Sequence, residues 1–131
     1  RMIDREEIFV RIYKACTKTL NELSTEGVEH LTPQATDNYR IQLAALYGLM
    51  IEELMEIEKS RGEAWAKLQL EENGVKREKP LSIQMTDHMY DATKDGQRRI
   101  ELKYRIKAVE KMVSALAGHL RRLTEEAKNS F

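Results

Sequence analysis

Three groups of side chains have the types and spacing to do chemistry. Glu52, Glu53 and Glu56 place carboxylates on neighbouring helical turns, a donor set suited to a hard divalent cation. Asp87, Asp91 and Asp95 recur every four residues and so share a helix face, with His88 beside them. The third group is cationic: Lys76, Arg77 and Lys79, then Arg98, Arg99, Lys103, Arg105, Lys107 and Lys111, offset by Glu78, Glu101 and Glu110. Such a run can follow a phosphate backbone. Trp65 and Tyr90 are expected near the first of these cations. Aromatics beside basic residues stack single-stranded bases at ~1–3 kcal/mol per base.

Each group has a plainer reading. Asp87 and Asp91 fall in the first turns of an expected helix, where the dipole stabilises acids by ~0.3–1 kcal/mol each. One histidine without a second ligand is a weak zinc site, and His30 and His119 stand alone. The Glu52, Glu53 and Glu56 set resembles the first metal-binding half of the all-helical nucleotide pyrophosphatases of the MazG type. Those enzymes complete a magnesium site with a downstream Glu-x-x-Asp, and this chain has none. The reading is therefore no enzyme, no metal and no cofactor. The basic run of the third group also has a structural use. Glu52, Glu53, Glu56 and Glu58 would oppose it across a helical hairpin and set the register by salt bridges.

Long helices must position these groups. Leu102, Ile106, Val109, Val113, Leu116, Leu120, Leu123 and Ala127 alternate steps of four and three, an apolar heptad seam that needs a partner helix. Leu43, Tyr47, Met50, Leu54, Ile57, Arg61, Ala64 and Leu68 form a second seam. A first helix is expected over 4–24, capped by Asp4, with Phe9, Ile12, Tyr13, Cys16, Leu20 and Leu23 on its apolar face. A second is expected over 33–73, with Thr32 as cap and Pro33 in the first turn. Asn73-Gly74 reads as its stop. A basic connector spans 74–81. The third helix is expected over 82–128, capped by Ser82 or Thr86. Helices two and three, each roughly 60 Å long, would form an antiparallel hairpin whose paired positions sum to about 157. The fold class is all-α: a single domain of hairpin plus shorter N-terminal helix, a three-helix bundle or coiled coil. Exposed Met85, Met89, Leu68 and Trp65 on a two-helix arm point to an oligomer or a partner.

The chain has no net charge, but the charge is divided. Residues 1–73 carry 9 basic and 14 acidic side chains; residues 74–131 carry 13 and 8. Opposite halves imply pairing between them or separate partners. The single cysteine, Cys16, lies on an apolar face and reads as a small hydrophobe in a reducing compartment. No apolar run approaches the ~20 residues of a membrane span. The charged first seven residues argue against a signal peptide, so the expected location is cytoplasmic, in the host cytoplasm if viral.

The order of parts resembles one family. A long helix with an acidic-then-basic stretch (Glu56–Lys59) and an aromatic (Trp65) leads to a basic connector (Lys76–Ser82). A capped helix follows, then an apolar segment, Ala115–Leu123, with Arg121 and Arg122. This layout is similar to the small phage proteins of the recombination-mediator type. The resemblance implies a ring-like homo-oligomer that binds single-stranded DNA and helps load a recombinase. Lys76, Arg77, Lys79, Arg98 and Arg99 are then the expected phosphate contacts and Trp65 the stacking residue. The alternative is a protein-interaction module, adaptor or inhibitor, with Met85, Met89 and Leu68 as its interface.

Overall fold

Thr32 opens the longest helix as its residue type predicts. Its hydroxyl accepts the Ala35 N–H at 3.1 Å, and Pro33 occupies the first turn, where a missing N–H costs nothing. The computed structural model describes residues 5–130, apart from the side chains at positions 5, 6, 8 and 9. The expected cap Asp4 and the side chain of Phe9 lie outside the described residues. The chain order is α1 (Arg5–Glu26), α2 (Pro33–Leu70), β1 (Glu71–Glu72), β2 (Val75–Lys76), α3 (Ile83–Asp91) and α4 (Lys94–Asn129). The all-α class holds, with one small sheet added. Helix α2 runs unbroken through Ser60, Arg61 and Gly62.

Three boundaries differ from those predicted. α1 ends at Glu26 rather than about 24, and Gly27 follows at φ 78 with its N–H on the Leu23 carbonyl at 2.9 Å. α2 ends at Leu70, and Asn73-Gly74 is a hairpin turn rather than a helix stop. Both residues have positive φ, 51 and 82, which a two-residue turn of the primed type requires. Antiparallel pairing sets Glu71 opposite Lys76 and Glu72 opposite Val75. The hairpin and the following chain then close the end of α2. The Arg77 N–H bonds the Leu70 carbonyl at 2.7 Å, and the Leu81 N–H bonds the Gln69 carbonyl at 3.1 Å. Helix-end carbonyls without a partner are thus satisfied by the connector itself.

The third difference is a break where one helix over 82–128 is expected. Ser82 caps α3 by accepting the Met85 N–H at 3.1 Å. Thr93 then restarts the helix: its hydroxyl donates to the Tyr90 carbonyl at 2.6 Å and accepts the Gly96 N–H at 3.0 Å. Gly96 is buried against the last turn of α3, and a Cβ built there would lie 2.0 Å from the Tyr90 carbonyl oxygen. Only glycine allows this approach.

Two compact units result, Arg1–Met50 with Arg105–Phe131, and Ile51–Tyr104. The first buries Ile12, Cys16 and Leu23 of α1, Leu43 and Met50 of α2, and Ile106, Val109 and Leu116 of α4. These are seam positions of the sequence pattern. His119 is also buried there, its Nε2 2.9 Å from the Leu31 carbonyl oxygen. The second unit buries Ile57, Tyr90 and Leu102.

The elbow between α3 and α4 yields a prediction. Gly96→Ala forces backbone atoms apart and should cost at least the ~1–3 kcal/mol typical of overpacking. Urea unfolding followed by circular dichroism measures it. A midpoint equal to the parent's would mean the two helices do not approach so closely.

Candidate nucleic-acid interface

The expected phosphate contacts separate into two kinds. Arg77 and Arg99 face inward, with side chains only 16% and 17% exposed. The Arg77 Nε donates to the Leu68 carbonyl at 3.4 Å and its guanidinium meets Glu72 at 3.4 Å, so it braces the end of α2. Arg99 pairs with Glu58. That pair follows the register the hairpin pairing predicts, as does the Tyr47 hydroxyl, which donates to Glu110 at 3.1 Å within the other unit. Arg98 is half-buried. Lys76 and Lys79, by contrast, are exposed and in no ion pair.

Trp65 is not the open platform that the sequence suggests. It is half-buried, and its indole N–H donates to the Asp87 carboxylate at 2.8 Å. The same carboxylate oxygen lies 3.6 Å from the Arg61 guanidinium, which sits 5.3 Å from the centroid of the Tyr90 ring. Arg61, the one charged position of the second seam, is the cation of a cluster spanning α2 and α3. Tyr90 is 1% exposed, and its hydroxyl and the Arg61 Nε–H have no hydrogen-bond partner. Burial, with Asp95 next, pushes the Tyr90 phenol pKa up, so its proton stays in place.

The aspartate set therefore does structural work through Asp87. Among the described residues, no group of three or more His, Cys, Asp or Glu side chains is placed to hold a metal ion. Of the expected interface residues, Met85 is 51% exposed, while Met89 and Leu68 are half-buried. Leu68 lines a groove of about 370 Å³ with Ala64, Lys67, Asn73, Gly74 and Thr93. Ile83, 67% exposed, stands two residues before Met85 and was not singled out by its spacing.

In the other unit Arg105 is also turned inward. It bonds the Thr17 hydroxyl and lies 4.8 Å from the Tyr13 ring centroid. Cys16 is fully buried; burial pushes its thiol pKa up, with Arg105 pulling the other way. Neither family models, nor curated proteins, nor solved structures match this chain. No helix is long and apolar enough to cross a membrane among the described residues.

Two outcomes follow. Arg99→Ala should lower stability by about 1 kcal/mol in urea titration, as loss of a well-placed ion pair does, whereas Lys79→Ala should leave the midpoint unchanged. Equal midpoints for the two variants would deny Arg99 its bracing role. Cys16 should resist DTNB in the folded protein at neutral pH, since the thiolate is both scarce and enclosed, and release one equivalent on unfolding. Rapid labelling of the native chain would contradict its burial.

Proposed function

We propose that this chain is a non-enzymatic helical protein of phage-like DNA metabolism that self-associates, binds single-stranded nucleic acid through repeated basic sites and assists recombination. The observation that carries this reading is the pair of exposed lysines, Lys76 and Lys79, in no ion pair on and beside the hairpin. Neighbouring arginines are consumed by internal bonds; these two are not. A protomer of zero net charge binds weakly through two cations. Several copies brought to one strand gain affinity through effective concentration, so self-association is part of the function. The finer architecture belongs to the same reading: α2 and α4 as an antiparallel hairpin, α1 as the third helix, and a recombinase as a partner. The Tyr47–Glu110 and Glu58–Arg99 contacts, each within its own unit, support the antiparallel register.

A second reading, a protein-interaction module, is favoured by the exposure of Ile83 and Met85 on and around α3. Apolar side chains at such exposure suit a protein surface better than a phosphate backbone.

Fluorescence anisotropy of a labelled oligo(dT), titrated across salt concentrations, tests the first reading. Binding should weaken steeply with salt. Replacing Lys76 and Lys79 together by Ala should reduce the slope of log K against log salt by about two and leave the thermal melt unchanged. Absence of binding at low salt would discard the nucleic-acid reading. Loss of self-association in Met85→Glu, with no oligonucleotide bound by the parent, would establish the second.

A further inference from the structure

Tyr104 is the only exposed aromatic among the described residues. Tyr90 is buried, Trp65 is held by Asp87, Tyr13 lies against Arg105, Tyr47 bonds Glu110, and Tyr39 is half-buried. Tyr104 is 73% exposed, more than any other large apolar side chain described. Its side chain makes no hydrogen bond, ion pair or ring contact. A rigid helix therefore holds an aromatic ring out in solvent, where it gains nothing for the fold.

Its surroundings favour one class of ligand. Lys103, next to it on α4 and in the same unit, is exposed and in no ion pair. One acid, Glu101, lies a turn before Tyr104. A protein groove would ask for further apolar anchors at three-, four- and seven-residue steps. The residues of its own unit at those steps are Gln97, Ile100 and Glu101, and none is an exposed apolar side chain. The set is one aromatic with an unpaired lysine beside it, which suits a base with its phosphate.

We propose that Tyr104 is a base-stacking residue for single-stranded nucleic acid and that Lys103 contacts the adjoining phosphate. The proposal rests on the nucleic-acid reading above and gives it the stacking residue that Trp65 does not supply. Stacking is tolerant of sequence, because every base has a π-face, so the site carries no base preference.

The test uses the full chain and oligo(dT). The parent has one tryptophan, Trp65, held by Asp87, and its emission serves as the reference. In Tyr104→Trp, bound oligo(dT) should quench the added indole, saturating with the anisotropy signal, while the parent's emission stays constant. Tyr104→Ala should weaken binding by about ten-fold with the salt slope kept, and Tyr104→Phe should bind as the parent does. Lys103→Ala should lower the slope by about one. All four variants should keep the parent's melt, since neither side chain is part of the core. If the parent binds oligo(dT) but Tyr104→Ala binds equally well and the added indole is not quenched, the stacking role is overturned and the broader reading stands. If Tyr104→Ala changes the sedimentation coefficient of the free protein, Tyr104 is a contact between copies and the proposal also fails. If the parent does not bind at low salt, both fall together.

Discussion

The second unit depends on one carboxylate. Asp87 stands in the second turn of α3 and takes the Trp65 indole N–H while facing the Arg61 guanidinium. Both partners belong to α2, so one side chain fastens the short helix to the long one. Arg61 in turn covers the face of Tyr90, whose ring fills the interior beneath. Without an acid at 87, a half-buried cation and an indole N–H would each lose a partner, and such groups are costly to leave unmatched in low dielectric. Thr93 and Gly96 then take the chain out of α3 and into α4 against this fixed point.

Several charges in this chain are spent on structure. The glutamates of α2 and the arginines of α4 belong to oppositely charged halves, and Glu58 with Arg99 joins the two within one unit. Arg77 and Arg105 likewise turn to backbone carbonyl, hydroxyl and ring. Arginine suits such posts, because its planar fork makes several directed bonds and is weakly hydrated. Lysines were left outside: Lys76, Lys79, Lys103, Lys107 and Lys111 are all exposed. The division of labour between the two cations separates framework from surface more sharply than position along the basic run does.

Much of the frame was legible. Heptad spacing identified Leu43, Met50, Ile57, Leu102, Ile106, Val109 and Leu116 as interior, and all are buried. Thr32 and Ser82 were readable as caps, because a hydroxyl before a helix has one evident use. The Asn73-Gly74 pair was misread for a physical reason: a helix stop and a primed hairpin turn both require positive φ, and the sequence carries no third residue to separate them. The break at Thr93 did have a signal: residues 93–99 carry no apolar side chain, so the helical apolar pattern lapses there, and threonine is a capping residue type. Gly96, in the middle of that stretch, marks a close backbone approach. Of the expected phosphate contacts, the exposure of Lys76 and Lys79 was legible. The inward fates of Trp65, Arg77 and Arg99 were not, since they depend on which acid or carbonyl the fold brings near. Tyr104 drew no notice because exposure is a property of the fold rather than of spacing.

The two units differ in how they draw on the chain. The stretch from Ile51 to Tyr104 is continuous, whereas the other unit joins Arg1–Met50 to Arg105–Phe131. During synthesis the continuous unit has all its residues as soon as Tyr104 has emerged. The first helix must wait. Its buried face of Ile12, Cys16 and Leu23 has no α4 to meet until more than half the chain has followed it from the ribosome. An apolar helix face left open for that interval is the part of this protein most exposed to wrong partners while it is being made.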